Sequence, residues 1–382
     1  MSKTTGIDRR LFVRSTGALL AGFMLPGHAL AAGAGATAQT AGQGLFASAC
    51  RGRDGTLRAV VFDPERGEPV TGIELPERGH GIARRPAGAP RDLVTFARRP
   101  GNFAVVLDLD GKREPQWITA RPDRHFFGHG LFSADGRLLY TTENDFEGER
   151  GMIGVRDATD GYRQIGEFPS GGLDPHELAV LSDGRTLVIA NGGLRTHPDE
   201  PRLENDTATM QPTLAYVDSV TGELLERQVW PDPLRKLSIR HLCVGADDTV
   251  IFGCQDRGPA WELRPNVGAH RRGRPLELVA LPDKLDSRVR NYIGAVAIDA
   301  TREVALVSAP RGGVAIAVEI ASGRYLRHYD MPKVYGVTGQ GEGFLLTGTD
   351  GSLAKTQGAS TALASLHQPD VAFWDDHAVA IG

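Results

Sequence analysis

The stretch GLFSADGRLLYT, residues 130–141, places a tight turn between two short apolar runs. The pair Asp135-Gly136 supplies the turn, because glycine readily adopts the positive φ that a tight hairpin turn requires. The stretch ELAVLSDGRTLVIA, residues 177–190, repeats the pattern with another Asp-Gly pair at the same place. The sequence therefore predicts two β-hairpins that are copies of one unit.

Weaker copies of this unit run along the rest of the chain. Each copy opens on a histidine or a tyrosine, and the openings recur at intervals of 42 to 65 residues, about 50 on average. This interval is near the length of a four-stranded blade of a β-propeller. The seven opening residues are His80, His129, His176, His241, Tyr292, Tyr335 and His377. Seven openings predict seven blades.

The two ends of the chain complement each other. The last opening leaves room for one strand, residues 377–382, whereas two strand-like runs, residues 45–50 and 56–62, precede the first opening. The ends therefore have to share a blade, which pairs sheet edges that would otherwise be exposed. We predict an all-β fold for residues 44–382: a seven-bladed β-propeller, one domain, closed by N- and C-terminal strands in one blade. Two stacked sandwiches, the competing all-β fold, predict no regular period.

Residues 1–32 have the pattern of an export signal. The pair Arg9-Arg10 precedes an apolar run that is shorter than the roughly 20 residues needed to span a bilayer. Paired arginines are typical of the twin-arginine pathway, and residues 29–31 offer a small-residue cleavage site. We expect a periplasmic protein that begins near Ala32, with an uncleaved anchor as the alternative. Residues 33–43, rich in Ala, Gly, Thr and Gln, predict a flexible leader.

The composition disfavours several classes of protein. Basic and acidic residues, 43 and 47 in number, are interspersed and leave a net charge of −4, which gives no nucleic-acid or polybasic membrane footprint. Three cysteines without a C-x-x-C pair disfavour zinc ribbons, thioredoxin-like motifs and covalent haem. Cys243 and Cys254 flank one predicted turn, and the sequence leaves open a disulfide or two buried small residues. No nucleophile elbow, H-E-x-x-H motif or P-loop is present.

Five of the eleven histidines open repeats. Because the first strand of each blade lines the central channel, these side chains are expected around one mouth of that channel. Neutral imidazole is a common ligand of Zn, Cu, Fe and Ni. The hypothesis is a transition-metal site, for iron or copper, whose ligands are His80, His129, His176, His241 and His377. The alternative is that each histidine is a structural latch that hydrogen-bonds backbone groups of the neighbouring blade.

Other polar residues near the repeat openings are candidate ligands or substrate contacts. Two histidines and one carboxylate would form a non-haem iron site. Asp174 and Glu177 are alternatively turn residues or partners of Arg240 or Arg311 in the next blade, and the two arginines could bind an anionic chelator such as citrate. The full set of additional candidates is Glu143, Asp145, Asp174, Glu177, His197, Arg240, Tyr292 and Arg311.

One interval between openings is longer than the others. The extra residues lie in 191–212, a polar stretch that contains glycine and proline and lacks a strand pattern. This composition predicts a surface loop that could cover one face of the disc, with His197 within it.

Several short motifs stand at or near the repeat openings: Gly79-His80-Gly81-Ile82-Ala83, Phe127-Gly128-His129-Gly130, Thr141-Thr142-Glu143-Asn144-Asp145, Gly172-Leu173-Asp174-Pro175-His176-Glu177, Ala190-Asn191-Gly192-Gly193, Ser238-Ile239-Arg240-His241 and Ser308-Ala309-Pro310-Arg311-Gly312-Gly313. Together they resemble a family of exported bacterial propellers known as domain of unknown function 1513. The resemblance spans nearly the whole mature chain. It implies a propeller and, as candidate partners, imelysin-like periplasmic proteins linked to iron acquisition. It implies no reaction.

Three functional hypotheses follow from these patterns. The first is a binding or accessory protein, not an enzyme, that holds a transition metal or metal complex at the channel mouth in iron or copper handling. The second is a metal-dependent propeller enzyme, redox or hydrolytic, since the same residues could catalyse. The third is a metal-free interaction scaffold.

Overall fold

The structure, a computed structural model, describes residues 44–86, 88–199, 207–358, 360–366 and 370–381. The predicted signal and leader therefore lie outside the described residues. The strands are β1 (Leu45–Gly52), β2 (Leu57–Asp63), β3 (Glu68–Glu74), β4 (Gly79–Arg84), β5 (Asp92–Ala97), β6 (Phe103–Asp108), β7 (Gln116–Thr119), β8 (Arg124–Phe132), β9 (Leu138–Asp145), β10 (Arg150–Asp157), β11 (Arg163–Pro169), β12 (Pro175–Val180), β13 (Thr186–Asn191), β14 (Thr213–Asp218), β15 (Leu224–Val229), β16 (Leu237–Val244), β17 (Val250–Asp256), β18 (Val267–His270), β19 (Glu277–Leu278), β20 (Ala295–Ile298), β21 (Val304–Ala309), β22 (Val314–Glu319), β23 (Tyr325–Asp330), β24 (Val334–Gln340), β25 (Gly343–Gly348), β26 (Leu353–Thr356), β27 (Leu363–Ser365) and β28 (Val371–Ile381).

Helical structure in the described chain is confined to two short segments between blades. A 3-10 helix spans Leu234–Lys236, and helix α1 spans Asp283–Val289. Within the described residues, neither the length nor the apolarity of any helix suffices to cross a membrane.

The strands form seven four-stranded antiparallel sheets, which are the blades. Blade 1 has the order β28-β1-β2-β3, and blades 2 to 7 follow as β4–β7, β8–β11, β12–β15, β16–β19, β20–β23 and β24–β27. The first strand of each blade, β28 in blade 1, contacts the first strands of both neighbouring blades, so the ring is closed. The predicted seven-bladed propeller is confirmed.

Blade 1 joins the two ends of the chain. Strand β28 pairs antiparallel with β1, from Leu45 opposite Ile381 to Ser48 opposite Ala378. The shared blade that the sequence predicts is therefore confirmed. Trp374, fully buried on β28, packs against Phe62 with ring centroids 4.5 Å apart.

The core lies between the blades. Each blade has a neighbour on both faces, so its middle strands are buried on both sides and read as near-continuous apolar runs. Strand β13, with the sequence TLVIAN, and strand β14, TLAYVD, are buried at every position. Apolar burial between blades of this kind is the main force that holds the ring together.

The hairpin of β16 and β17 decides between the two alternatives for the cysteines. Its register places Cys243 opposite Ile251 and Cys254 opposite Ile239, which separates the cysteines by three residues along the strand. That separation is about 10 Å at about 3.3 Å per residue, beyond the reach of a disulfide. Both thiols are free and buried, and burial raises their pKa. They are two buried small residues.

Candidate metal centre

A β-bulge interrupts the first strand of six of the seven blades at the position of the repeated histidine or tyrosine. The pairing with the second strand skips or shifts at this point in β4, β8, β12, β16, β24 and β28. A bulge bends a strand and re-aims the side chain it carries. The repeated bulges therefore explain why these residues turn toward the channel instead of into the space between blades.

Glycine makes room for the closely packed rings at one of these bulges. Gly128, just before His129, has φ +102°, and a Cβ at this position would lie 2.6 Å from Cδ2 of His80. Only glycine combines that backbone conformation with that close approach.

We therefore expect Gly128→Ala to lower the free energy of unfolding by about 2–4 kcal/mol, from backbone strain and overpacking against His80. Gly166→Ala is the matched control, because Gly166 has an ordinary φ and a methyl group added there would have no atom within 4 Å. Urea denaturation of both variants checks the prediction. Equal stabilities would show that His80 moves freely and that its placement is not constrained.

The five histidines from blades 1 to 5 form one cluster of rings, so the repeat position that the sequence identifies does bring them together. The closest pair, His129 and His377, has ring centroids 4.5 Å apart, and the widest contact, His129 to His241, measures 5.9 Å. The remaining contacts, between 4.7 and 5.7 Å, are His80–His129, His80–His176, His80–His377, His129–His176, His176–His241 and His241–His377.

Four ring nitrogens in this cluster are buried and lack a hydrogen-bond partner among the described residues. They are Nε2 of His129, Nδ1 of His176, Nε2 of His241 and Nε2 of His377. A buried polar atom without a partner costs about 1–3 kcal/mol, so four in one small volume need an explanation. One ligand atom each from His129, His176 and His241 lies within 4.8 Å of the other two.

Carboxylates orient two of the rings. Nδ1 of His241 lies 3.1 Å from Oε2 of Glu177. Nδ1 of His80 lies 2.8 Å from Oδ1 of Asp375, whose other oxygen accepts a hydrogen bond of 2.6 Å from Nε of Arg78. Carboxylates that fix one nitrogen of an imidazole while the other binds a metal are the usual outer shell of histidine metal sites.

Burial keeps four of the histidines neutral. It lowers the pKa of His241 and of His377 to about 3. For His129 and His176, burial and then the neighbouring histidines lower the pKa well below its usual value. Neutral imidazole is the form that binds metal ions.

His80 differs from the other four. Burial lowers its pKa, but the carboxylates of Asp376 and Asp375 outweigh burial and raise it to about 9. Burial also opposes ionisation of Asp376, yet the charge of His80 holds the pKa of that carboxyl well below its usual range. The cluster therefore contains one ion pair beside the neutral rings.

Glu177 belongs with the histidines. One of its oxygens and one nitrogen each of His241 and His377 lie within 4.8 Å of one another. Burial raises the pKa of Glu177 to about 7.

Tyr292 and Tyr335 occupy the histidine position in blades 6 and 7. Burial and then the charge of Asp376 raise the pKa of both hydroxyls, so both stay protonated at neutral pH. Arg311 is exposed and lies over the Tyr292 ring, 4.6 Å from its centroid.

Three carboxylates among the additional candidates are held by arginines. Asp174 pairs with Arg240 across blades 4 and 5 at 2.7 Å, which is the interblade partner that the sequence offered as an alternative. The other two lie in blade 3, where Glu143 pairs with Arg156 at 3.2 Å and Asp145 pairs with Arg124 at 2.9 Å. These contacts do not join them to the histidine cluster.

His197 lies on the long loop, of which residues 200–206 are outside the described part. Its ring lies 5.2 Å from that of Phe146, and the side chain is partly exposed. The backbone oxygen of Thr196 accepts a hydrogen bond of 2.9 Å from Nδ2 of Asn144. The described part of the loop therefore packs on blade 3, apart from the five rings.

Sequence reasoning missed Asp375, Asp376 and Arg78 as site residues. Both aspartates are buried, with 1% and 3% of their surface exposed. The signal that could have found them is two adjacent acidic residues, next to His377, in a strand that has to be buried to close the ring. Charged residues are seldom fully buried without a partner.

Comparison with solved structures supports the fold. The chain is similar to Kuenenia stuttgartiensis hydrazine synthase, with 14% identity and a TM-score of 0.58 over 83% of this chain and 94% of that chain. It is also similar to a streptogramin B lyase, at 12% identity and a TM-score of 0.54 over 75% of this chain and 82% of that chain. A third similar structure is the β-propeller domain of Myceliophteria thermophila Cps50 (Swd1). It has 13% identity and a TM-score of 0.54 over 80% of this chain and 94% of that chain. Likeness at such identity shows the fold alone.

No curated protein matches the sequence. The family comparison does give a match. The model of the family described as Protein of unknown function (DUF1513) covers residues 73–381, most of the chain, and the chain therefore belongs to this family.

Proposed function

We propose that this protein is a periplasmic binding or accessory protein that holds a transition metal ion at the channel mouth, in support of iron or copper handling. The ion is bound by His129, His176 and His241. The observation that carries the proposal is the convergence of these three buried rings, each with a nitrogen that has no hydrogen-bond partner in the described chain.

Two histidines elsewhere in the fold show what a structural histidine looks like. His125 contacts the oxygen of Phe126 and the amide of Asn144, so both its nitrogens are paired. His270 is likewise paired on both sides, with the Tyr216 hydroxyl and a backbone oxygen.

The five clustered rings are not paired in this way on both nitrogens. Within the described residues, none of them hydrogen-bonds a backbone group, as the latch alternative requires. A bound ion would use the unpartnered nitrogens and remove their desolvation cost. The contacts therefore favour a metal ligand set over a set of latches.

The proposed periplasmic location and the proposed partner proteins are supported by the sequence alone. The twin-arginine pattern in residues 1–32 supports export, and the family resemblance supports imelysin-like periplasmic proteins as partners. Neutral imidazoles suit copper, zinc and ferrous iron better than they suit calcium or magnesium.

Elemental analysis of protein isolated from the periplasmic fraction without chelators tests the proposal. We expect at least about one Fe, Cu or Zn ion per chain, and a dissociation constant raised more than about tenfold in His129→Ala, His176→Ala or His241→Ala. His270→Ala is the matched control, a buried histidine outside the cluster, and should retain the metal. Added metal should raise the melting temperature of the wild type by mass action, and chelation should lower it.

Protein that holds none of the three metals, binds none on titration and melts identically with each would contradict the proposal. That result would favour the metal-free scaffold. Absence from the periplasmic fraction would contradict the location.

A metal-dependent enzyme is the second candidate, favoured by Glu177. Its side chain is partly exposed, touches His241 and has a pKa near 7, which suits a general base at neutral pH. Turnover that Glu177→Gln abolishes without loss of metal would favour the enzyme over the binding protein.

A further inference from the structure

We infer that the channel mouth holds two metal ions, the second bound by His80, Asp376 and His377. This inference rests on the proposed function and adds a second centre to it. The first observation is the number of donors. The described residues contain four overlapping groups of three that could each hold an ion, drawn from five histidines, Glu177, Asp375 and Asp376.

One metal ion cannot bind all of these donor residues. An ion such as Zn²⁺ takes about four ligands, and the groups contain eight residues. Two of the groups share no member: one consists of His129, His176 and His241, and the other contains His80 and Asp376 with Asp375. The first group accounts for one ion, and the second group offers donors for another.

His377 adjoins the second group, and its distance from Asp376 together with that of His80 is the spacing of a ligand set. Oδ1 of Asp376 lies 3.1 Å from Nδ1 of His80 and 3.7 Å from Nε2 of His377. Ligands bound tetrahedrally to one ion at about 2.0–2.2 Å lie about 3.3–3.6 Å from each other. The two observed distances bracket this range.

Nε2 of His377 is buried without a hydrogen-bond partner in the described chain. Oδ1 of Asp376, in a residue that is 3% exposed, has Nδ1 of His80 as its neighbour at 3.1 Å. These atoms are a separate observation from the three nitrogens of the first group. A second ion would take the place of the proton that His80 shares with Asp376 and would also bind Nε2 of His377.

The two centres adjoin each other. The ring of His129, from the first group, lies 4.8 Å from that of His80 and 4.5 Å from that of His377. Neighbouring ions in two-metal sites are about 3.5–4 Å apart and can share a small oxygen ligand. The centre therefore resembles a two-ion site in its spacing.

Copper stoichiometry tests the inference. The full-length mature protein is stripped with a chelator, loaded with Cu²⁺, desalted and analysed for copper per chain. We expect two ions in the wild type and in His270→Ala, and one ion in Asp376→Asn, in His377→Ala and in His176→Ala. The one ion left in His176→Ala should be lost when His377→Ala is added.

Each outcome separates this inference from the proposed function. One ion in the wild type overturns the second centre and leaves the proposed function standing, whereas no ion overturns both. Two ions in the wild type that all three single variants lose together would show one cooperative cluster and would also overturn two separable centres. If Asp376→Asn does not fold, the wild-type stoichiometry and the His377→Ala variant still test whether a second ion binds.

Discussion

Truncation after Asp376 is expected to lower the free energy of unfolding by at least about 5 kcal/mol, which approaches the whole stability of a typical domain. The truncation removes the part of β28 that pairs with residues Leu45 to Ser48 of β1. It therefore opens the ring at blade 1 and exposes unpaired edges at both ends of the chain. Urea denaturation and thermal melting measure the loss.

The full-length variant His377→Ala is the control for this truncation. It removes the side chain but keeps the strand, so it separates closure of the ring from the contribution of the histidine. We expect its stability in the presence of a chelator to stay much closer to that of the wild type. A truncated protein with the same melting temperature as the wild type would contradict closure through the shared blade.

Acidification of the metal-free protein from pH 7 to about pH 4 is expected to destabilise it strongly. His241 and His377 have a pKa of about 3 in the folded protein against 6.5 as the ordinary value. Below pH 6.5 the unfolded chain therefore takes up protons that the folded chain does not, and stability falls with pH. Each of the two contributes on the order of 3 kcal/mol between pH 6.5 and pH 4. His129 and His176 act in the same direction.

Glu177 and His80 act in the opposite direction. Glu177 has a pKa raised to about 7 from 4.5, so its burial costs most above pH 7, and this cost is relieved as pH falls toward 4.5. His80, with a pKa raised to about 9, contributes stability that is complete below pH 6.5 and is lost as pH rises through 9. The four depressed histidines outnumber Glu177, so the maximum of stability is expected near neutral pH.

Urea denaturation with a chelator at pH 7, 5.5 and 4 checks this dependence. The double variant His241→Gln, His377→Gln should show a shallower fall between pH 6.5 and pH 4, because glutamine does not titrate. The control His270→Gln replaces a histidine whose pKa is also lowered by burial, but outside the cluster. A wild-type stability that is flat over this range would contradict the neutral, buried state of the rings.

The sequence does not show which of two nearby carboxylates contacts the histidine cluster, and the folded structure does. Asp174 and Glu177 flank His176 and are equivalent candidates in the sequence. In the structure, Asp174 pairs with Arg240, whereas Glu177 contacts His241. The two carboxylates lie three residues apart, Asp174 before a bulge and Glu177 within it, so sequence spacing alone does not predict which one faces the rings.

The sequence by itself determined the seven blades, the shared closing blade and the repeat position at which five histidines meet. These features depend on local signals, the Asp-Gly turns and apolar strands, that recur at a regular interval, and a closed ring converts equal repeat positions into spatial neighbours. Only the tertiary structure decided which ring nitrogens are paired and which lack a hydrogen-bond partner in the described chain. His80 meets Asp375 across 295 residues of chain. Contacts between residues so distant in sequence cannot be predicted from the repeat interval. They form because the ring closes and because the bulges re-aim the side chains.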